Sequence, residues 1–85
     1  MKVRVLYFAG IREKLGRDAE ELVLPANVAT VAELRVHLRG RGEAWAEALA
    51  EDKLLRAAVN QDMAHPTAAI KAGDEVAFFP PVTGG

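Results

Sequence analysis

At 85 residues, with 51% hydrophobic and 27% charged residues, the chain has the composition of one small globular domain and not of a disordered, collagenous or multidomain protein. Its net charge of −1 hides an asymmetry, +3 over residues 1–42 and −4 over residues 43–85 (eight Lys/Arg against five Asp/Glu, then three against seven), and an acidic half does not invite nucleic-acid phosphates. The absence of cysteine and serine excludes a disulfide framework, a cysteine-type zinc site and thiol or serine nucleophiles.

Lys2–Phe8 (KVRVLYF) reads as a strand, with Val3, Val5 and Tyr7 on one face and Leu6 and Phe8 joining Lys2 and Arg4 on the other. Ala9–Gly16 places Ile11 and Leu15 four apart ahead of a glycine stop, which predicts one or two helical turns. Glu20–Leu24 is a second strand, ended by Pro25. Thr30 and Glu33 form a capping box, so a helix starts at Val31, buries Val31, Leu34 and Leu38, and stops at Gly40 in a left-handed turn. Arg35 and Arg39 near its end suit the helix dipole. Glu43–Ala50 is a second, alanine-rich helix with Trp45 as a core anchor.

Lys53–Val59 fits a strand, with helix as the competing reading, and Asn60-Gln61-Asp62 is turn chemistry. His65-Pro66 breaks regular structure, and a turn at 71–74 precedes a last strand, Glu75–Phe79. The order strand, strand, helix, helix, strand, strand predicts an α+β fold, a small mixed sheet with helices packed on one face. With the first and last strands central and parallel, this is the outline of a ubiquitin-like β-grasp domain over residues 1–79, followed by an extended tail at 80–85.

No apolar run approaches the ~20 residues that span a bilayer, and Met1–Phe8 lacks the apolar core of a signal peptide, so a cytoplasmic protein without membrane contact is expected. His37 and His65 lie far apart outside any ligand motif, which gives no basis for a metal site.

The tail, Pro80-Pro81-Val82-Thr83-Gly84-Gly85, carries the sharpest signal. Two prolines hold the chain extended and end the strand, and at ~3.3 Å per residue the six residues reach about 20 Å. Gly84 and Gly85 lack a Cβ, so an active site on another protein can close around their backbone. A terminal carboxylate is ionised at neutral pH and is a poor electrophile, so it reacts only once activated, for example as a mixed anhydride with an adenylyl group. The chain has no phosphate-binding glycine loop, Gly40-Arg41-Gly42 being too short and lying between helices, so a partner must bind the ATP and this chain needs no cofactor of its own. Against this stands a frayed, inert terminus on a plain interaction module.

Three segments, Tyr7–Gly16 (YFAGIREKLG), Gly73–Gly85 (GDEVAFFPPVTGG) and, more weakly, Ala58-Val59-Asn60, resemble the family of ubiquitin-like sulfur carriers that form the small subunit of molybdopterin synthase. The thiamine sulfur carriers share the terminal Gly-Gly but resemble this chain less. The resemblance implies that Gly85 is adenylated by an activating enzyme, is converted to a thiocarboxylate with the help of a sulfur donor system, and delivers sulfur to a cyclic pyranopterin inside a large subunit. Two small and two large subunits would make a heterotetramer, with the catalytic side chains supplied by the large ones.

The resemblance also implies that Phe8 and Phe79 face the partner, joined by Met63, and that the tail residues Pro80, Pro81, Val82 and Thr83 thread into it. Parity supports part of this, because the adjacent Phe78 and Phe79 must point to opposite faces of a strand; a place under the helices is the alternative for either Phe8 or Phe79. Arg12 matches the family's Arg-Glu element and is expected to meet an acidic group of the activating enzyme, or else a neighbouring glutamate. Sulfur delivery to thiamine or a tRNA base, and ubiquitin-like conjugation to lysine amines, remain as alternative uses of the same Gly85 chemistry.

Overall fold

The computed structural model describes residues 1–81. Strand β1 (Lys2–Tyr7) buries Val3, Val5 and Tyr7 and turns its other parity away from the helices. Helix α1 (Ala9–Leu15) follows at once, with Phe8 as its cap residue and not the last strand residue, and ends at Gly16 in the left-handed region, where the Gly16 N–H donates to Arg12 O at 2.9 Å. Strand β2 (Ala19–Val23) returns antiparallel to β1, pairing Lys2 with Val23 and Leu6 with Ala19.

Helix α2 (Val31–Arg39) starts at the capping box: the Thr30 hydroxyl accepts from Glu33 N–H at 3.2 Å. The Glu33 carboxylate reaches one residue further upstream than the motif requires and accepts from Ala29 N–H at 3.0 Å. Val31, Leu34 and Leu38 are buried as the spacing predicts. Gly40, however, is right-handed (φ −75°), because the last turn tightens into i→i−3 bonds, Gly40 N–H to His37 O and Arg41 N–H to Leu38 O. The positive φ falls two residues later, at Gly42 (φ 152°), just before α3 (Glu43–Ala48).

Strands β3 (Arg56–Val59) and β4 (Asp62–Ala64) form a hairpin, and β5 (Glu75–Phe79) completes the sheet. The segment read as strand or helix is thus a strand, shorter than expected by three residues. Strand β4 was hidden by the turn reading of Asn60-Gln61-Asp62: only Asn60 and Gln61 form the turn, both at positive φ (51° and 72°), the geometry of a two-residue primed hairpin.

The sheet order is β2-β1-β5-β3-β4, with β1 and β5 parallel and every other pair antiparallel. This is the α+β, ubiquitin-like β-grasp fold. All helices cover one face, where Tyr7, Leu34, Leu38, Leu49, Val76 and Phe78 form the centre of the core. No helix among the described residues is long and apolar enough to cross a membrane.

Candidate functional site at the root of the tail

The face of the sheet without helices is built from the parity that the core does not use. Along β1 it presents Lys2, Arg4 and Leu6, leading to Phe8, and along β5 Glu75, Ala77 and Phe79. Register then sorts it by polarity. Arg4 lies beside Glu75 and Glu21, and Lys2 pairs with Glu21 at 3.0 Å, so one end is charged. Leu6 lies beside Ala77, and Ala77 beside Ala58, so the other end, from which the tail departs, is apolar.

At that end Leu6, Ala58, Ala77, Phe79, Pro80 and Pro81 line an open groove of about 570 Å³, edged by Phe8, Gln61 and Glu75. Phe8 is 44% exposed and meets Phe79 edge to face, ring centroids 6.5 Å apart and planes at 86°. The backbone turn that aims Phe8 here is unusual: Ala9 sits at φ 52°, a left-handed position that non-glycine residues adopt at a cost of about 1–2 kcal/mol. An aromatic pair of one exposed and one half-buried ring, beside a strained turn and an apolar floor, has the composition of a docking surface.

Two polar clusters hold this frame. Asn60 fixes the start of β5: its N–H donates to Glu75 O at 2.8 Å, its Oδ1 accepts from Glu75 N–H at 3.0 Å, and its Nδ2 donates to Asp74 Oδ1 at 2.9 Å. The Lys71 N–H, with Asn60, lowers the Asp74 pKa, so the carboxylate that shapes this turn stays ionised. Under the opposite face the Tyr7 hydroxyl donates to Glu20 Oε2 at 2.8 Å, and Arg17 and Arg41 pair with the same carboxylate at 3.0 and 2.9 Å. Burial raises the Tyr7 pKa, helped by Glu20. Burial would also raise that of Glu20, but the hydrogen bonds from Arg41 and Tyr7 and the charge of both arginines outweigh it and lower it instead. Trp45 is half-buried against this cluster, edge to face with Tyr7 at 5.6 Å and with Arg41 stacked 4.1 Å from its ring.

The structure therefore brings Phe8, Phe79, Pro80 and Pro81 together. Met63 is 62% exposed on β4 across from Ala58, which places it on this same face of the sheet, two strands out from Ala77 and outside the groove lining. Arg12 is exposed on α1 and pairs with no described carboxylate, so the local bridge to a neighbouring glutamate is not formed. Val82, Thr83, Gly84 and Gly85 lie outside the described residues. Sequence reading missed Ala58 and Ala77 as the groove floor and the left-handed Ala9; strand parity carried the signal for Ala77, whereas nothing in an Ala-Gly pair announces a positive φ on the alanine.

Known proteins share this sequence pattern and fold. The molybdopterin synthase sulfur carrier subunit of Escherichia coli K12 is 49% identical over 83 residues, covering 98% of this chain and 99% of that protein. The small archaeal modifier protein 1 of Haloferax volcanii superposes with a TM-score of 0.74 at 26% identity over 95% of this chain and 98% of that one. A complex of subunits 1 and 2 of the molybdopterin-converting factor from Helicobacter pylori 26695 contains a chain matching at TM-score 0.65 and 25% identity, with 100% of both chains covered. The ThiS family model matches residues 5–85, and the chain belongs to the ThiS family.

Proposed function

We propose that this chain is a cytoplasmic sulfur carrier in molybdenum cofactor biosynthesis, the small subunit of a molybdopterin synthase whose reactive group is the Gly85 carboxyl. The observation that carries this reading is the apolar groove at the root of a Gly-Gly tail, in a chain 49% identical to a molybdopterin synthase sulfur carrier subunit. The groove gives a partner a foothold beside the tail; Gly84 and Gly85 add no side chain to block an active site.

The chemistry follows from the carboxylate. An activating enzyme transfers AMP from ATP to Gly85, releasing pyrophosphate and making a mixed anhydride. Sulfur from a donor system displaces AMP and leaves a thiocarboxylate. The large subunit then takes up the tail, and the thiocarboxylate sulfur attacks a side-chain carbon of the cyclic pyranopterin and displaces an oxygen substituent; water then hydrolyses the resulting thioester, which returns the Gly85 carboxylate and leaves the sulfur on the pterin as a thiolate. The Helicobacter pylori complex of subunits 1 and 2 supports a large-subunit partner, and the Phe8/Phe79 pair offers such a partner an apolar face. A pair of such heterodimers forms the heterotetramer. Arg12, exposed on α1, serves the encounter with the activating enzyme, and this chain binds no cofactor itself.

Intact mass of the chain after incubation with its activating enzyme, ATP and a sulfur donor tests this reading, with a Gly85-deleted chain as control. Exchange of one oxygen for sulfur in the intact chain alone is the expected result. No exchange with an activating enzyme active on another carrier defeats it, and recovery of Gly85 in an isopeptide bond to lysine replaces it with protein conjugation.

A further inference from the structure

Three residues other than glycine hold positive φ among the described residues, Ala9, Asn60 and Gln61, and two of them, Ala9 and Gln61, line the groove at the root of the tail. Backbone strain of this kind persists only where something else requires it. For two of the three the requirement is visible. Ala9 turns the chain where Phe8 meets Phe79. Asn60 is of a type that tolerates the left-handed region, and its side-chain amide holds Glu75 N–H and the Asp74 carboxylate.

Gln61 has no such account within the fold. It occupies the second position of the two-residue primed turn between the paired residues Val59 and Asp62, at φ 72°, where glycine is favoured because a Cβ crowds the following carbonyl. It is exposed, and among the described residues its amide makes no hydrogen bond, in contrast to that of Asn60 beside it. Glycine would serve the turn better, so what the glutamine adds lies in the groove. Among the described lining residues only Gln61 and Glu75 carry polar side chains, and Glu75 is flanked by Arg4 in the sheet. Both stand by the start of β5, the end of the groove away from Pro80 and Pro81.

We propose that the Gln61 carboxamide hydrogen-bonds a main-chain peptide group of the large subunit docked in this groove, and thereby fixes where along β5 that partner seats. A peptide group carried onto the apolar floor of Leu6, Ala58 and Ala77 loses its water, and a carboxamide, with donor and acceptor side by side, can replace it for either N–H or C=O. An anchor at one end of the groove sets the position at which Pro80 and Pro81, at the other, meet the partner. This role rests on the groove being the docking face of the large subunit, and adds to it a polar contact that the apolar pair Phe8 and Phe79 cannot supply.

Calorimetry with the large subunit and urea unfolding, both on the full chain, test it through two substitutions. Gln61→Gly removes the amide and relieves the turn, so affinity should fall about threefold to tenfold while the urea midpoint rises by about 0.5 M. Gln61→Ala removes the amide and keeps the strained turn, so affinity should fall by the same factor with the midpoint unchanged. Phe8→Ala separates this contact from the docking face as a whole. Weaker binding of Phe8→Ala, with both Gln61 variants binding like the native chain, would overturn the Gln61 contact and leave the face in place; undiminished binding of all three would remove both. A loss of affinity confined to Gln61→Gly would trace to a loosened turn, and a lowered midpoint in that variant would make Gln61 a structural residue; either result would overturn the proposal.

Discussion

Phe78 and Phe79 are neighbours in sequence and opposites in environment, and substituting each by alanine separates the folding role of β5 from its docking role. Phe78 is 1% exposed among the core side chains, and a Phe→Ala change in such a site costs about 3–5 kcal/mol. An 85-residue domain has about 4–13 kcal/mol of stability at 0.05–0.15 kcal/mol per residue, so Phe78→Ala removes a large share of it. Phe79 covers only one side of an open groove. Full burial of a phenylalanine contributes about 1.5–3 kcal/mol, so the loss of its partial burial should cost about 1 kcal/mol. Urea unfolding followed by the fluorescence of Trp45, the sole tryptophan, measures both. At a slope of about 1–1.5 kcal/mol per molar, the midpoint should fall by about 2–5 M for Phe78→Ala and by about 1 M or less for Phe79→Ala. Calorimetry with the large subunit should show the reverse order, with Phe79→Ala losing about 30-fold in affinity, the size of a central hot spot. Equal losses of stability in the two variants, or unimpaired docking of Phe79→Ala, would refute the assignment of the two faces.

The remaining predictions concern the polar frame. Glu20→Gln keeps an acceptor for Tyr7 but loses the charge that holds Arg17 and Arg41, and should cost about 1 kcal/mol at pH 7. Because the folded pKa of Glu20 lies below its unfolded value, that stability is present above the unfolded value of 4.5 and is lost as pH falls through the folded one; the gap between native and variant chains should close on acidification, and a gap constant with pH would contradict this. Arg35→Met should cost about 1.5–3 kcal/mol by stripping the carbonyls at the end of α3 of a charged donor, and Arg35→Lys should not restore it, because a point ammonium cannot replace the guanidinium fork. Hydrogen exchange should speed up in α3 before it does in β1 or β5; uniform acceleration would mean that Arg35 acts on global stability alone.

What could be read from the chain divides by the range of the interaction involved. Local signals were legible: the alternation of β1, the Thr30-Glu33 box and the Gly16 stop each depend on residues within one or two turns, and each is present, the strand one residue shorter and the box with Glu33 bonded to Ala29 N–H. The Gly40 stop failed because two ways of ending a helix, a left-handed residue or a tightened last turn, accept the same glycine. Strand β4 is three residues long and exists only because the primed turn at Asn60-Gln61 lays it against β3, so no periodicity could announce it. Arg35 carried the least legible role. Its position at i, i+4 from Arg39 suggested the dipole of its own helix, whereas its donors serve the end of the next one, fourteen and more residues away.

The site itself follows from one constraint, that a strand has two faces and β5 uses both. Val76 and Phe78 are committed to the core, so Ala77 and Phe79 are placed on the opposite face without separate instruction. The register that seats Phe78 beside Tyr7 also seats Phe79 across from Arg56, so β5 is paired on both edges up to the residues from which the tail departs. Pro80 and Pro81 then end the ladder chemically, since neither has an N–H to offer to β1 or β3. The central position of β5 gives Pro80 and Pro81 a root fixed by two neighbouring strands. Core packing and the apolar face opposite it are in this way set by the same five residues, and a change in β5 register by one position would expose Phe78 and bury Phe79 together.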